Sequence, residues 1–249
     1  MGGTERPLVL GHRGASAEAP ENTLSAFRLA LAEGADGVEL DVWRCGSGEI
    51  VVHHDADTGR TAGRALSLAG SSLRALRELD VGARQGERYR GERIPLLEEV
   101  LEAFPGAVVN VEMKSGRLPD LGLASALADL LRRRGDEERC LVSSFDPVLL
   151  AAVRVRAPWC RTGWLVAAEG RWRLRELLGT RFLRPRAIHP ESALVTPARA
   201  ERWRRMGLDV NVWTVDRPEE ALRLRGLGVA ALITNRPAAL RAALGPERR

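Results

Sequence analysis

Two acids two positions apart, Glu39 and Asp41, stand inside the apolar run Gly37-Val38-Glu39-Leu40-Asp41-Val42. In an extended strand successive side chains alternate, so both carboxylates point to one side while Val38, Leu40 and Val42 point to the other. Neighbouring carboxylates repel each other unless a cation or a proton lies between them. A strand with its polar face in water would show the same alternation, and the flanking residues argue against that reading. His12-Arg13 follows the apolar run Leu8-Val9-Leu10, and His54-Asp55 follows Ile50-Val51-Val52. Two histidines, two acids and an arginine at the ends of strands are the parts of a phosphate-processing site.

Val111-Glu112-Met113-Lys114 repeats the pattern, with Glu112 and Lys114 on one face and Met113 on the other. Glu39, Asp41 and Glu112 together offer only hard oxygen ligands, which suit one Mg²⁺ or Ca²⁺ ion and not zinc or copper. A cation held there would neutralise charge on a phosphoryl oxygen as a transition state forms. Arg13 and Lys114 would hold the remaining oxygens. Lys114 is the only lysine among 38 basic residues, so a compact ammonium is favoured at that position over a broad guanidinium. A paired surface couple is the plain alternative for Glu112 and Lys114. His12 and His54 suit an acid/base pair, because an imidazole titrates near neutral pH. His189 has no such neighbours in sequence and reads as structural. Trp213 and Phe145 are expected to wall the pocket, although core packing explains either one equally well.

The elements that must position these residues are regular. Strands are expected at Leu8–Leu10, Gly37–Val42, Ala107–Lys114, Cys140–Ser144, Thr162–Val166, Ala187–His189, Leu208–Val215 and Val229–Thr234. Helices are expected from Asn22-Thr23 to Gly34, then over Ile94–Leu101, Leu121–Arg134, Pro147–Arg156, Trp172–Leu178, Pro197–Met206 and Pro218–Arg225, with a last one near Pro237. Eight strands each followed by a helix, over 249 residues, predict one (β/α)₈ TIM barrel spanning the chain. Such barrels keep their chemistry at the C-terminal strand ends, where the candidate residues fall. A doubly wound open sheet, the alternative, gives no reason for polar residues at so many strand ends. The turn Cys45-Gly46-Ser47-Gly48 is too short for a parallel crossover, so Ile50–His54 should fold back as a hairpin arm. Residues 57–93, rich in Gly and Arg with one helical stretch near Ser72–Leu79, read as a small excursion beside the site.

A formal charge of +5 and a pI near 10.0 could draw an anionic partner. The arginines are spread over many segments, which speaks for a solvated surface and against a nucleic-acid face. No apolar run reaches the roughly 18 residues of a membrane span, and the first residues show no signal-peptide pattern. Three widely spaced cysteines, Cys45, Cys140 and Cys160, read as free thiols in a reducing compartment, so a cytoplasmic location is expected.

The chain resembles the glycerophosphodiester phosphodiesterases. The resemblance rests on Gly11-His12-Arg13-Gly14, Ala19-Pro20-Glu21-Asn22-Thr23, Gly34 to Val42, Val51-Val52-His53-His54-Asp55 with Arg60-Thr61, Ile94 to Glu99, Asn110 to Lys114, Ser144-Phe145, Val212 to Val215 and Ile233-Thr234-Asn235-Arg236-Pro237. It implies hydrolysis of small glycerophosphodiesters to sn-glycerol 3-phosphate and an alcohol with a divalent cation. By position it implies His12 and His54 as acid and base, Glu39, Asp41 and Glu112 as metal ligands, and Arg13 and Lys114 as phosphate contacts. Two departures stand out: Asn235 replaces the family's usual Asp, and His53 adds a histidine beside the expected one. In an extended arm His53 and His54 face opposite ways; the resemblance puts the role on His54, leaving His53 against the excursion or in solvent. A lysophospholipase D acting at membrane surfaces and a barrel that binds phosphodiesters without cleaving them are the alternatives.

Overall fold

The computed structural model describes residues 6–168, 176 and 179–245. Eight parallel strands close on themselves: β1 (Leu8–His12), β2 (Gly37–Arg44), β4 (Val108–Met113), β5 (Cys140–Ser144), β6 (Arg161–Val166), β7 (Ala187–Pro190), β8 (Asp209–Val212) and β9 (Ala231–Thr234), with β9 and β2 both paired to β1. The short strand β3 (Ile50–Val52) runs antiparallel to β2 as an arm outside the ring. Around the ring lie α1 (Leu24–Ala32), α4 (Leu97–Ala103), α5 (Leu121–Arg134), α6 (Pro147–Arg156), α7 (Pro197–Arg205), α8 (Pro218–Gly226) and α9 (Pro237–Leu244), while α2 (Gly59–Ala62) and α3 (Leu73–Arg77) belong to the excursion. This is a (β/α)₈ barrel.

The outward strand residues make the main core. Val38, Leu40 and Val42 of β2 and Val109, Val111 and Met113 of β4 are buried among the helices. Helix α5 shows why its residues form a helix: Leu123, Ala124, Leu127, Ala128, Leu130 and Leu131 repeat at helical spacing and are all buried. Asp120 caps its start through the N–H groups of Gly122 and Leu123, and Gly135, in the left-handed region at φ +70°, ends it. Burying each leucine of that face contributes roughly 1.5–3 kcal/mol.

Several boundaries differ from the sequence expectation. Ile94–Leu96 are not helical: Val51 bridges Leu96 and the Val52 N–H donates to the Pro95 carbonyl, so the segment is extended and α4 starts at Leu97. Pro95 disfavours helical backbone at the residue before it. Strand β8 stops at Val212, because the carbonyl of Trp213 turns to accept from Ser192 and Val215 donates to Ile233. The helix expected at Trp172–Leu178 lies outside the described residues except for Glu176. The excursion holds two short α-helices and two 3₁₀ turns where one helical stretch was expected, and it has a small core in which Leu68, Leu76 and Val81 pack with Cys45, Val51 and Ile94.

Candidate active site

The site forms at the C-terminal mouth of the barrel, where strand register brings distant residues level. His12 lies opposite Glu39 across β1 and β2, and Asp41 lies opposite Glu112 across β2 and β4. Glu39, Asp41 and Glu112 each offer a carboxylate oxygen within 4.8 Å of the others. Two cations face them. Lys114 Nζ donates to Glu112 Oε1 at 2.8 Å and lies 3.2 Å from Asp41 Oδ1, and Arg13 Nε lies 3.3 Å from Asp41 Oδ2.

All three carboxylates are buried, and their electrostatics show the strain of that arrangement. Burial, with Asp41 and Glu112 close by, pushes the Glu39 carboxyl well above the ordinary range. Burial and Asp41 raise Glu112 to about 7. Burial opposes ionisation of Asp41 too, but Lys114 and Arg13 overcome it and hold that carboxyl below its usual value. Two cations therefore do not balance three acids, and a further positive charge among these oxygens would relieve the deficit. The donors are all hard oxygens, so the set fits Mg²⁺ or Ca²⁺.

The loop after β1 is held in an unusual shape. Arg13 is in the left-handed region at φ 57°, which costs on the order of 1–2 kcal/mol for a residue with a Cβ. The Arg13 N–H donates to the Glu39 carbonyl at 2.9 Å and the Arg13 carbonyl accepts from Asn22 N–H at 2.9 Å. These bonds fix the loop and aim the guanidinium at the acids.

His12 is mostly buried, and burial followed by the charge of Arg13 lowers its pKa. Its Nδ1 lies 2.7 Å from Asn235 Oδ1. The polarity of that bond follows from its surroundings. Asn235 Nδ2 donates to Asp216 Oδ2 at 2.7 Å, so Oδ1 must face the ring, and it also accepts from Ser16 Oγ. Nδ1 therefore carries the proton, and in the neutral ring Nε2, 4.0 Å from Glu39 Oε2, holds the lone pair. A cavity of about 340 Å³ lined by His12, Arg13, Ser16, Glu21, Asp216 and Asn235 adjoins this ring.

The arm separates its two histidines. His53 is buried, with Nε2 2.9 Å from Thr61 Oγ1 of the excursion and Nδ1 3.0 Å from the Asp55 carbonyl. His54 is partly exposed, and its Nδ1 donates to Asp55 Oδ1 at 2.7 Å. Trp213 stands just past β8, donating its indole N–H to the His189 carbonyl at 2.8 Å, and its ring meets Phe145 edge-on with centroids 5.7 Å apart. Phe145 lines a second cavity of about 380 Å³ together with Glu112, Lys114, Ser144 and Asp146.

Asn22 and Glu21 entered the sequence reading without a role at the site. Thr23 caps α1, which leaves Asn22 free to donate to Asp41 Oδ2 at 2.8 Å. Glu21 accepts from Arg13 Nη1 at 3.0 Å. The spacing Pro20-Glu21-Asn22-Thr23 was visible, but only one of two adjacent capping residues could be the cap. Ser16 and Asp216 carried no sequence signal.

The chain matches the sequence profile of the Glycerophosphoryl diester phosphodiesterase family over residues 12–239. A glycerophosphodiester phosphodiesterase of Caldanaerobacter subterraneus is 35% identical over 241 residues, covering 94% of this chain and 96% of that one. Among solved structures, a phosphodiesterase of Oleispira antarctica in complex with the product sn-glycerol-3-phosphate superposes with a TM-score of 0.87 at 28% identity, covering 96% of each chain. A glycerophosphodiester phosphodiesterase of Thermotoga maritima gives a TM-score of 0.76 at 29% identity, covering 93% of this chain and 96% of that one.

Proposed function

The chain belongs to the glycerophosphoryl diester phosphodiesterase family, and from that premise we propose that it hydrolyses glycerophosphodiesters to sn-glycerol 3-phosphate and an alcohol with the help of one divalent cation. The observation that carries the reading is the meeting of Glu39, Asp41 and Glu112 within 4.8 Å of one another, beside two cationic side chains and the His12 ring. The three acids would hold Mg²⁺ or Ca²⁺, which when bound neutralises charge on the phosphoryl oxygens. Arg13 and Lys114 bind the non-bridging oxygens and orient the phosphorus.

His12 is the better base of the pair. Burial keeps it neutral, and Asn235 holds the proton on Nδ1, so Nε2 is ready to accept one from the attacking hydroxyl. His54, whose Nδ1–H is committed to Asp55, would in its protonated form give the Nε2 proton to the departing alkoxide. Phe145 walls the cavity beside Glu112 and Lys114, and Trp213 backs its ring edge-on. The substrate is a small molecule and not nucleic acid, since many arginines are already engaged in local ion pairs such as Arg60–Glu21, Arg90–Glu87 and Arg223–Glu220. The free thiols of Cys45, Cys140 and Cys160 support a cytoplasmic location, which cell fractionation would check.

One observation favours a second substrate class. Leu118 and Leu121, in and after the loop that follows β4, and Val148, just after β5, are exposed apolar side chains on the face that holds the site. An acyl chain of a lysolipid could lie there, although no helix among the described residues is long and apolar enough to cross a membrane.

A panel of glycerophosphodiesters and lysophosphatidylcholine, read by coupled release of glycerol 3-phosphate and of free head group, tests both. Release of glycerol 3-phosphate that stops on chelation and returns with Mg²⁺ or Ca²⁺ is the expected result. No hydrolysis of any diester would overturn the activity, and full turnover after exhaustive chelation would overturn the metal requirement.

A further inference from the structure

The excursion reaches into the site through one residue that touches none of the reacting positions. Arg60, on the four-residue helix α2, donates Nε–H to Asp55 Oδ2 at 2.7 Å. Its two terminal nitrogens donate to Glu21, Nη1 to Oε2 at 2.7 Å and Nη2 to Oε1 at 2.6 Å. Each of those carboxylates also holds a site residue. Asp55 Oδ1 accepts from His54 Nδ1 at 2.7 Å, and Glu21 Oε1 also accepts from Arg13 Nη1 at 3.0 Å. One guanidinium thereby links the arm that carries His54 to the loop that carries Arg13.

We infer that Arg60 is a positioning residue, which sets His54 through Asp55 and Arg13 through Glu21 and so aligns the two halves of the site. The inference rests on the roles proposed above for His54 and Arg13. The planar fork makes it possible: three N–H groups in fixed directions satisfy two carboxylates at once, which an ammonium on a flexible stem does not reproduce. The two acids respond accordingly. Against its partial burial, hydrogen bonds from Arg60 and then from His54 hold Asp55 at about 2, and Glu21 is also held below its ordinary value against burial, chiefly by Arg60 and Arg13.

The mounting of α2 agrees with this role. Thr58, fully buried, donates to the Arg64 carbonyl at 2.6 Å and accepts from Leu66 N–H at 3.0 Å, closing a tight loop around the helix. Buried His53 bonds Thr61, the residue next to Arg60, at 2.9 Å. From the other side of the excursion, Arg88 and the Tyr89 hydroxyl both donate to the Glu18 carbonyl at 2.9 Å, three residues before Glu21. An exposed ion pair needs no such support. Arg60 is half exposed at its side chain, yet its partners are fixed on both sides.

Steady-state kinetics of the metal-loaded enzyme on glycerophosphocholine, for the parent, Arg60→Ala, Arg60→Lys, His54→Ala and the Arg60→Ala/His54→Ala double variant, decide the matter together with a crystal structure of Arg60→Ala. Losing such an outer partner should lower kcat about 10–100-fold in Arg60→Ala, with lysine recovering little of it. In the His54→Ala background the same change should cost clearly less than in the parent, because one of the two groups it positions is gone. A full, additive loss in the double variant, or a rate in Arg60→Ala within a few-fold of the parent, would overturn the inference. Should the parent hydrolyse no glycerophosphodiester, the functional reading fails by itself. The crystal structure still decides the positioning claim: a His54 ring displaced from Asp55 upholds it, and an unmoved ring overturns it.

Discussion

At the scale of single residues, the two adjacent histidines separate roles that their chemistry alone does not. His53 and His54 share a side-chain type and a neighbourhood, but past the end of β3 one ring turns into the excursion to bond Thr61 and the other bonds Asp55. His54→Ala should lower kcat by about 10²–10⁴, the usual loss when a general acid or base is removed. His53→Ala removes the bond to Thr61 behind Arg60 and should stay within a few-fold of the parent. Turnover of both variants, with circular dichroism as the folding check, measures this. An active His54→Ala beside a dead His53→Ala would reverse the assignment.

At the scale of elements, the site depends on how closely β2 and β4 approach. Gly37, near the start of β2, pairs with Val108, and a Cβ on it would sit 1.9 Å from the Val108 carbonyl oxygen. No side chain fits there without moving the strands apart. The same ladder sets Asp41 opposite Glu112 four residues along. Gly37→Ala should therefore destabilise the fold by roughly 1–3 kcal/mol, the range for overpacking, and should weaken diester hydrolysis in the fraction that folds. Thermal unfolding of the variant is the measurement, and an unchanged midpoint would mean that the barrel wall yields more readily than this contact implies.

At the scale of the whole molecule, the barrel interior carries a buried histidine away from the site. His189 is fully buried on β7, and Asn211 Nδ2 donates to its Nε2 at 2.9 Å. Burial lowers its pKa to about 3, whereas an unfolded histidine titrates near 6.5. Between those values the unfolded chain binds the proton and the native state does not, so stability rises with pH in that window. The contribution is complete above about pH 6.5 and is lost progressively as pH falls toward 3. Between pH 6.5 and 4 the loss from this group is on the order of 3 kcal/mol. Denaturant midpoints measured across that range should fall more steeply for the parent than for His189→Gln, and parallel curves would show that the ring takes up a proton inside the fold.

The sequence by itself determined the alternation of strands and helices, and with it the barrel and the end of the barrel where the chemistry lies. It also supplied the residue types, since carboxylates two apart on a strand, a single lysine and histidines at strand ends are local patterns that survive folding. Only the tertiary structure decided the pairings. Residues 39 and 112 meet because β2 neighbours β4 in a particular register, and residues 12 and 235 meet because the barrel closes between β1 and β9. No local periodicity encodes either distance. The same holds for Asn235, which as a substituted acid carried no role in sequence, but between Asp216 and His12 turns its amide nitrogen to the acid and its oxygen to the ring. It holds for Arg60 as well. Its partners Glu21 and Asp55 come from different loops, and only the folding of the excursion onto the β1 loop brings both within reach of one guanidinium.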